Sequence, residues 1–436
     1  MTTIHYQLDQ DLTVTHDVDV AVVGGGPGGL GAAVMAARAG ASTLLIERYG
    51  AMGGMASYGE VHPFMPNHAN ETSLDKPVYV EWVERMKHYL PSNHPAKEMD
   101  SDALSHPDRC ISKDIALLAA EDLCIDAGVT ILYHHAFFDT IMDDGRIAAL
   151  VLSSKSGLTA VRAKMVVDCS GDADVAARAG CTCEEGGPSG YSQPMTLCFK
   201  LSHVDWARVP KPADINAAYD AARERGEVEC PRENVLYFRW FDSDVVHFNT
   251  TRVVHKHATN GLQLSDAEIE ARRQLRQILA FLRGHVPGFE QAEIHSIAHH
   301  IGVRESRRVR GQAYVTRDDF RAFRKFDDAI ARVNYPIDVH NPDGSGTEHE
   351  RIPAGEWYEI PFGCVVAKGV RNLLVGGRPI SVDHAVHSSM RVMPPACSVG
   401  QAAGMGAAMA AAQGCDPAEL DGCAVRAALK EQGANL

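Results

Sequence analysis

An α/β fold is predicted by three stretches of the sequence. Residues 19–47, DVAVVGGGPGGLGAAVMAARAGASTLLIE, read as an apolar strand, a glycine-rich turn, a helix of small residues and a second apolar strand closed by an acid. Residues 163–180, AKMVVDCSGDADVAARAG, give another buried strand ending in Asp168, a turn at Gly171 and a helix. Residues 371–381, RNLLVGGRPIS, place a strand over Leu373 to Val375 ahead of Gly376, Gly377 and Arg378, and a helix of small residues follows. Strand and helix alternating in this way is the pattern of an α/β domain.

The first stretch is a dinucleotide-binding unit of the Rossmann-like kind. Gly24, Gly26 and Gly29 fit G-x-G-x-x-G, whose glycines make the tight turn, admit a pyrophosphate and let helix and strand pack closely. Pro27 and Gly28 lie in the same turn, and a helix from about Gly28 to Ala39 would aim its free N–H groups at the phosphates. Glu47, about twenty residues on, is placed to hold a ribose. The Val-rich strand before the glycines and the Ala-rich helix after them separate this pattern from an ordinary glycine-rich turn.

Directly behind Glu47 the chain reads RYGAMGGMASYG, a second glycine loop with Arg48, Gly53, Gly54 and Met55. This resembles the FAD-containing oxidoreductases of the glutathione-reductase-like superfamily, in which E-R-x-x-x-x-G-G passes the pyrophosphate and approaches the isoalloxazine ring. The resemblance extends along nearly the whole chain through GGMAS, VDCSGDADVAARAGC, HHIGVRESRRVRGQAYVTRDD, YPIDVHNP, IPFGCVV, NLLVGGRPIS and RVMPPACSVGQAAG, which are similar to the FAD-dependent oxidoreductase family. It implies a glutathione-reductase-type FAD domain with an inserted α+β substrate or cap domain, redox chemistry, and FAD held either covalently or noncovalently. It implies no substrate. Further cofactor contacts are expected at Gly171 and Asp172, at Gly377 and Arg378, at Arg391, and at Gly400, Gln401 and Ala402 around the entry of the last long helix. The N-terminus of that helix, entered through Pro394 and Pro395 with Ser398 as a cap, would put positive potential beside a flavin that gains electron density on reduction.

The remaining sequence divides around this frame. A discontinuous cofactor domain is expected over 1–60, 105–185 and 353–436, with an insertion at 61–104 near the active site and the substrate domain over 186–352. The run from Arg109 to Tyr133 reads as an amphipathic helix and a strand, and Asp144-Gly145 as the turn of a hairpin. In the substrate domain MTLCFKL, NVLYFRWF and VVHFNTTRVV read as strands. SDAEIEARRQLRQILAFLRGH reads as a helix opening at Ser265 with Glu268 in a capping box.

Composition narrows the partners. The chain has 436 residues, 45% hydrophobic and 22% charged, with a net charge of -14 that disfavours nucleic acid and anionic membrane. Small molecules are therefore the expected partners: an organic substrate, and oxygen or a carrier as electron acceptor, with homo-oligomerisation left open. The first twelve residues, MTTIHYQLDQDL, lack the features of a signal or transit peptide, and Val399 to Ala412 is too short and small to span a bilayer. Its G-x-x-x-G spacing is expected to pack closely on a sheet. Eleven cysteines, odd in number and without a regular framework, indicate reduced thiols and a cytoplasmic location.

Several residues are candidates for chemistry. His384 and His387 follow the Gly377 strand, and His340 with Asp338 lies in YPIDVHNP; a base beside the flavin is what oxidation of an alcohol or amine requires. In GVRESRRVRG either Arg304 or Arg308 would face the flavin or an anionic substrate, with Glu305 orienting it. The paired histidines at 134–135, 255/257 and 299–300 lack the spacing of a tetrahedral metal set, so no metal is expected. The leading expectation is a flavin dehydrogenase or oxidase that passes hydride from a small organic C–H donor to flavin N5. The alternatives are an NAD(P)H-fed monooxygenase or ene-reductase, disfavoured because Gly377-Arg378 stands where the hydroxylases carry G-D, and a nonredox protein with structural or sensory FAD.

Overall fold

The computed structural model describes residues 2–6, 9–70, 72–97, 112–239 and 243–436. The expected boundary at 104/105, the start at Arg109 and the end of NVLYFRWF at Trp240 and Phe241 lie outside the described residues. A seven-stranded sheet forms the frame. β1 (Val14–Val23) lies between β2 (Thr43–Ile46) and β6 (Gly157–Asp168), parallel to both, and β3 (Thr130–Leu132) extends the parallel part beyond β2. β4 (Ala136–Asp143) and β5 (Arg146–Ser154) form a hairpin whose turn residues, Asp144 and Gly145, both have positive φ, the conformation a two-residue hairpin turn of matching twist needs. β5 pairs antiparallel with the first part of β6, and β13 (Leu373–Val375) pairs parallel with its last part.

Burial on both faces explains the composition of these strands. In β1, Val20 and Val22 enter one core while Ala21 and Val23 enter the core on the opposite face, as a period of two requires. Helices cover one face: α1 (Pro27–Arg38), α2 (Val78–His88), α3 (Lys113–Asp126) and, against α1, α8 (Met393–Gln413). On the other face the hairpin residues Leu150 and Leu152 and the short helix α4 (Asp174–Arg178) pack over Leu44, Ile46 and Val166.

A second core is drawn from Met195 to Val303. There β7 (Phe199–Ser202), β8 (Tyr237–Arg239), β9 (Val246–Phe248) and β10 (Glu293–Ile297) form an antiparallel sheet in the order β8-β9-β7-β10, with α5 (Pro212–Glu224) and α6 (Gly261–His285) burying Tyr219, Leu275, Ile278 and Phe281 beside Phe199 and Phe248. This core is shorter than the expected 186–352 segment. Val315, Phe320, Ile330 and Val333 belong instead to the first core, where the pair Ala329–Val333 and Tyr358–Pro361 packs near α8. The hairpin of β11 (Ile337–His340) and β12 (Thr347–Glu350) stands between the two cores, beside α7 (His384–Met390). A last helix, α9 (Gly422–Glu431), packs on α8.

Three local expectations are corrected. α6 opens one turn earlier, at Asn260, whose side chain accepts hydrogen bonds from the N–H groups of Leu262 and Gln263. Glu268 is then helix interior and accepts from the N–H of Ile301 at 2.6 Å. Ser398 does not cap α8, which begins at Met393; its hydroxyl donates to Asp75 at 2.7 Å. The small-residue spacing of α8 serves a helix and not the sheet: a Cβ at Gly400 would lie 1.9 Å from the carbonyl oxygen of Gly28, one at Gly404 2.1 Å from that of Ala32, and one at Gly31 2.2 Å from that of Cys397. Among the described residues no helix is long and apolar enough to cross a membrane.

Backbone against backbone leaves no rotamer to relieve an added side chain. Gly400→Val is therefore expected to destabilise by about 3 kcal/mol or more, the upper end of ordinary overpacking. Gly284→Ala, at an exposed helical position where a Cβ meets nothing within 4 Å, is expected to stabilise by roughly 0.5 kcal/mol. Urea unfolding of the two variants checks both signs.

Candidate active site

Register brings the site together. Val23 pairs with Ile46 and with Asp168, and Asp168 pairs with Val375, so four parallel strands end side by side. The chain leaving each strand therefore enters the same space beyond their carboxyl ends, which is where open α/β sheets bind ligands. A cavity of about 720 Å³ occupies it and continues to the second core.

At one end the cavity meets the first glycine turn. Gly24, at φ +102°, would bring a Cβ to 2.3 Å from the Cys169 carbonyl oxygen, whereas Gly26 has nothing nearer than 3.9 Å and faces open space. No side chain caps α1 there, and Pro27 occupies its first turn, so the helix end presents bare backbone to the cavity. Glu47 lines the same end, its carboxylate accepting from the N–H groups of Gly25 at 2.6 Å and Tyr49 at 2.9 Å; burial pushes its pKa up against those bonds. These features fit a dinucleotide: a turn closed to side chains, an uncapped helix end and a buried acid.

The middle is lined by Arg48, Gly54, Met55 and the Ser170–Asp172 turn, opposite Gly376, Gly377 and the first turn of α8. Arg378 ties this region together by donating to the Gly171 carbonyl at 2.8 Å, to Asp172 at 2.8 Å and to the Val303 carbonyl. Ser306 also donates to Asp172, at 2.7 Å. Burial pulls the Arg378 pKa down, and the Asp172 carboxylate opposes it.

The far end is built by the second core and the β11–β12 hairpin. Arg232, Arg304, Tyr335, Asp338, His340 and Arg391 converge there. Burial opposes ionisation of Asp338, but His340, Arg391 and His349 together hold its carboxyl well below the usual range. Its contacts to these three are 3.4–3.5 Å, longer than the ~2.7–3.2 Å of close hydrogen bonds. The His340 tautomer follows from its neighbours. Arg252 can only donate, and its Nη2 lies 3.1 Å from Nδ1, so Nδ1 carries the lone pair and Nε2–H faces Asp338 at 3.4 Å. Burial and the charge of Arg304 push the His340 pKa far down, which keeps this ring neutral.

The predicted residues separate into two groups. Gly24, Gly26, Pro27, Gly28, Glu47 and Arg48 line the cavity, as do Gly54, Met55, Gly171, Asp172, Gly377 and Arg378; His340, Arg304 and Arg391 line its far end. Of the two alternatives in GVRESRRVRG, Arg304 reaches the cavity, whereas Arg308 is buried behind it and donates to Glu305 and to the Gly186 and Val382 carbonyls. The other group is structural in this arrangement. A Cβ at Gly29 would sit 1.7 Å from the Gly24 carbonyl oxygen, and Gly53 turns the loop at φ +101°. Gly400 and Ala402 are buried in α8, and Gln401 ties α8 to α2 by accepting from Val78 N–H and donating to the Lys76 carbonyl. His384 and His387 share one turn of α7 but lie outside the cavity lining: Nδ1 of His384 is 2.8 Å from Glu305, and the fully buried His387 has no hydrogen-bond partner on either nitrogen. Sequence reasoning missed Arg232 and Asn249, which carry no motif and reach the cavity only through tertiary folding, and Tyr335, which opens the YPIDVHNP segment but was not singled out there.

Glu305 makes the region behind the cavity pH-sensitive. Burial opposes its ionisation, yet His384, His387 and Arg308 lower its pKa from 4.5 to about 2. A depressed folded pKa gives stability that is complete above the unfolded value and is lost as pH falls from about 4.5 to about 2, worth about 3 kcal/mol in all. The wild-type protein is expected to lose that much more stability over this window than Glu305→Gln, measured by denaturant unfolding at successive pH values.

The family described as FAD dependent oxidoreductase matches residues 19–429. Digeranylgeranylglycerophospholipid reductases of Thermoplasma volcanium and Thermoplasma acidophilum are 30% and 29% identical over 161 and 160 residues. Each match covers 35% of this chain and 39% of the relative, well under two thirds of its length. Similar solved structures include a geranylgeranyl bacteriochlorophyll reductase-like protein of Thermoplasma acidophilum, 13% identical with a TM-score of 0.44, covering 96% of this chain and 84% of that one. Another is the p-nitrophenol 4-monooxygenase PnpA of Pseudomonas putida DLL-E4, 13% identical with a TM-score of 0.43 and the same two coverages. A third is the myxobacterial chondrochloren halogenase CndH, 13% identical with a TM-score of 0.44, covering 96% and 78%. The chain belongs to the FAD-dependent oxidoreductase family, and FAD is its cofactor.

Proposed function

We propose that this protein is a flavin dehydrogenase or oxidase that removes hydride from a C–H bond of a small organic substrate. The observation that carries this reading is the single cavity running from the Gly24–Gly28 turn to the enclosed group of Asp338, Tyr335 and the arginines. In this reading the parallel strands and the β4–β5 hairpin make a glutathione-reductase-type cofactor domain, and the Met195–Val303 unit caps the substrate. Gly26 and Gly28 leave room for the pyrophosphate, the α1 N-terminus faces its charge, and Glu47 takes a ribose. Met393 and Ala396, in the first turn of α8, bring positive helix potential to the middle of the cavity, where the ring system belongs. FAD supplies the hydride acceptor.

The chain's own task is then to hold the substrate, exclude water and take a proton. His340 is poorly placed to take it, because Nδ1 already accepts from Arg252 and Nε2–H faces Asp338. Asp338 is the proton acceptor: its carboxylate is kept ionised and lines the cavity, and its contacts to His340, His349 and Arg391 are 3.4–3.5 Å long. His340 and Arg391 position it. Tyr335, whose phenol burial and the Asp338 charge hold protonated, lines the same wall. This moves the role expected of His384 or His387 to the β11 strand.

A reductase running in the opposite direction is the second reading, favoured by the partial match to the Thermoplasma reductases. Anaerobic addition of alcohols, amines and hydroxy acids to the purified holoprotein, beside NADH and NADPH, separates the two. Bleaching of the flavin band by an organic donor and not by nicotinamides is expected; bleaching by NAD(P)H alone would put the reductase in its place. With a donor in hand, Asp338→Asn is expected to slow flavin reduction by roughly 10²–10⁴-fold, and His384→Gln by less than about tenfold, in stopped-flow single turnovers.

A further inference from the structure

The far end of the cavity holds more positive charge than the protein neutralises. Arg232, Arg304 and Arg391 line it, and Arg252, 1% exposed, stands directly behind His340. Among the described residues two carboxylates face these four guanidinium groups: Glu233, 3.0 Å from Arg252, and Asp338, 3.5 Å from Arg391. The hydrogen-bond partners of Arg304 are all neutral, namely the Pro194 carbonyl, the Thr196 hydroxyl and the Asn249 amide oxygen. Arg232 is 5% exposed, and its Nε donates to Asn234. Its Nη1 and the Nε of Arg391 are buried with no hydrogen-bond partner among the described residues.

An unpartnered donor on a buried cation is among the most costly groups a protein holds, because water is gone and nothing replaces it. Here one such donor sits on the buried Arg232 and another on the half-buried Arg391, both side chains lining one cavity, beside a third cation bonded only to neutral groups. We propose that this end of the cavity binds an organic carboxylate, so that the substrate of the redox reaction is a small acid. The proposal rests on the reading of this cavity as the redox site and adds the class of molecule it takes. Guanidinium forks match a planar carboxylate through paired hydrogen bonds, which a ketone, alcohol or amide cannot reproduce with charge. Asp338 and Glu233 in the same wall favour a singly charged group over a phosphate dianion, whose second charge they would repel.

The same arrangement gives the bound acid a second effect. Arg391, with His340 and His349, lowers the proton affinity of Asp338, and Arg304 and Arg391 add to the effect of burial on His340. An anion placed among these arginines offsets their field and raises the basicity of Asp338 when a substrate proton must be accepted.

The test is binding without turnover. Glycolate, succinate and benzoate, each beside its amide, are titrated into the holoprotein at fixed ionic strength, followed by the flavin difference spectrum and by calorimetry. The expected result is saturable binding of at least one acid, about tenfold or more tighter than its amide, and a loss of about tenfold or more for that acid in Arg232→Gln with the amide unchanged. Equal binding of acid and amide, binding of no acid, or an acid whose affinity survives Arg232→Gln would overturn the proposal. So would inorganic phosphate binding in place of all the acids. Should Arg232→Gln fail to fold, Arg391→Gln is read the same way, and the acid-to-amide comparison on the wild-type protein decides by itself. A protein that binds acids through these arginines but whose flavin no organic donor reduces keeps this proposal and loses the dehydrogenase reading.

Discussion

The contact between α1 and α8 is the constraint on which the site depends. Gly28 meets Gly400 and Ala32 meets Gly404, so the two helices run in the same sense with backbones nearly touching. A side chain at any of the three glycines Gly31, Gly400 and Gly404 would force them apart. Because the helices are parallel, both present their N-terminal ends toward the cavity: α1 through Gly26 and Pro27, α8 through Met393 and Ala396. Two helix dipoles are thereby aimed into one cavity from a fixed separation, with no charged side chain at either terminus. The alanine and glycine content of α8 is the consequence of that separation. It would otherwise suggest a membrane segment or a loosely packed surface helix.

Sheet register does for the loops what this contact does for the helices. Val23, Ile46, Asp168 and Val375 end in line, and each is followed at once by a residue that lines the cavity. Asp168 secures one of these turns from beneath. Fully buried, it accepts from the N–H and hydroxyl of Ser170 and from the N–H of Ala176, so the turn that carries Gly171 and Asp172 is held by a carboxylate that never meets the ligand space. Arg378 then clasps that turn to Val303 of the second core. The glycine-turn end and the far end of the cavity are consequently parts of one continuous wall.

What could be read in the sequence follows the range of the interactions involved. The glycine turn, Glu47, the Asp144-Gly145 hairpin and the strand at Leu373 depend on a few neighbouring residues, and their spacing along the chain reports them. Ser265 and Ser398 resembled caps because the local pattern allowed it, but Asn260 and the Asp75 carboxylate offered competing partners that only the folded chain supplies. His384 and His387 were credible bases by position after the Gly377 strand. Once that segment becomes the α7 turn, one faces Glu305 and the other enters the core. Arg232 and Asn249 had no signal, since a cavity wall assembled from distant segments imposes no spacing on them, whereas Tyr335 stood in YPIDVHNP beside Asp338 and only the fold shows that it faces the cavity.

The far end of the cavity shows how such a wall can be tolerated. Isolated buried guanidinium groups would be strongly unfavourable, and mutual repulsion lowers their proton affinity further, as it does for Arg304 beside Arg391, Arg232 and Arg252. The fold limits that cost by giving Arg304 three neutral oxygens, Arg252 a carboxylate and Arg391 the distant Asp338, while leaving two nitrogens without partners. In the acid-binding reading, an entering anion would offset the repulsion among guanidinium groups that the protein has already positioned and desolvated. In that reading the charge that would draw the ligand in also lowers the proton affinity of Asp338, through Arg391. Neutralising Arg391 would then couple occupation of the site to the proton affinity of Asp338.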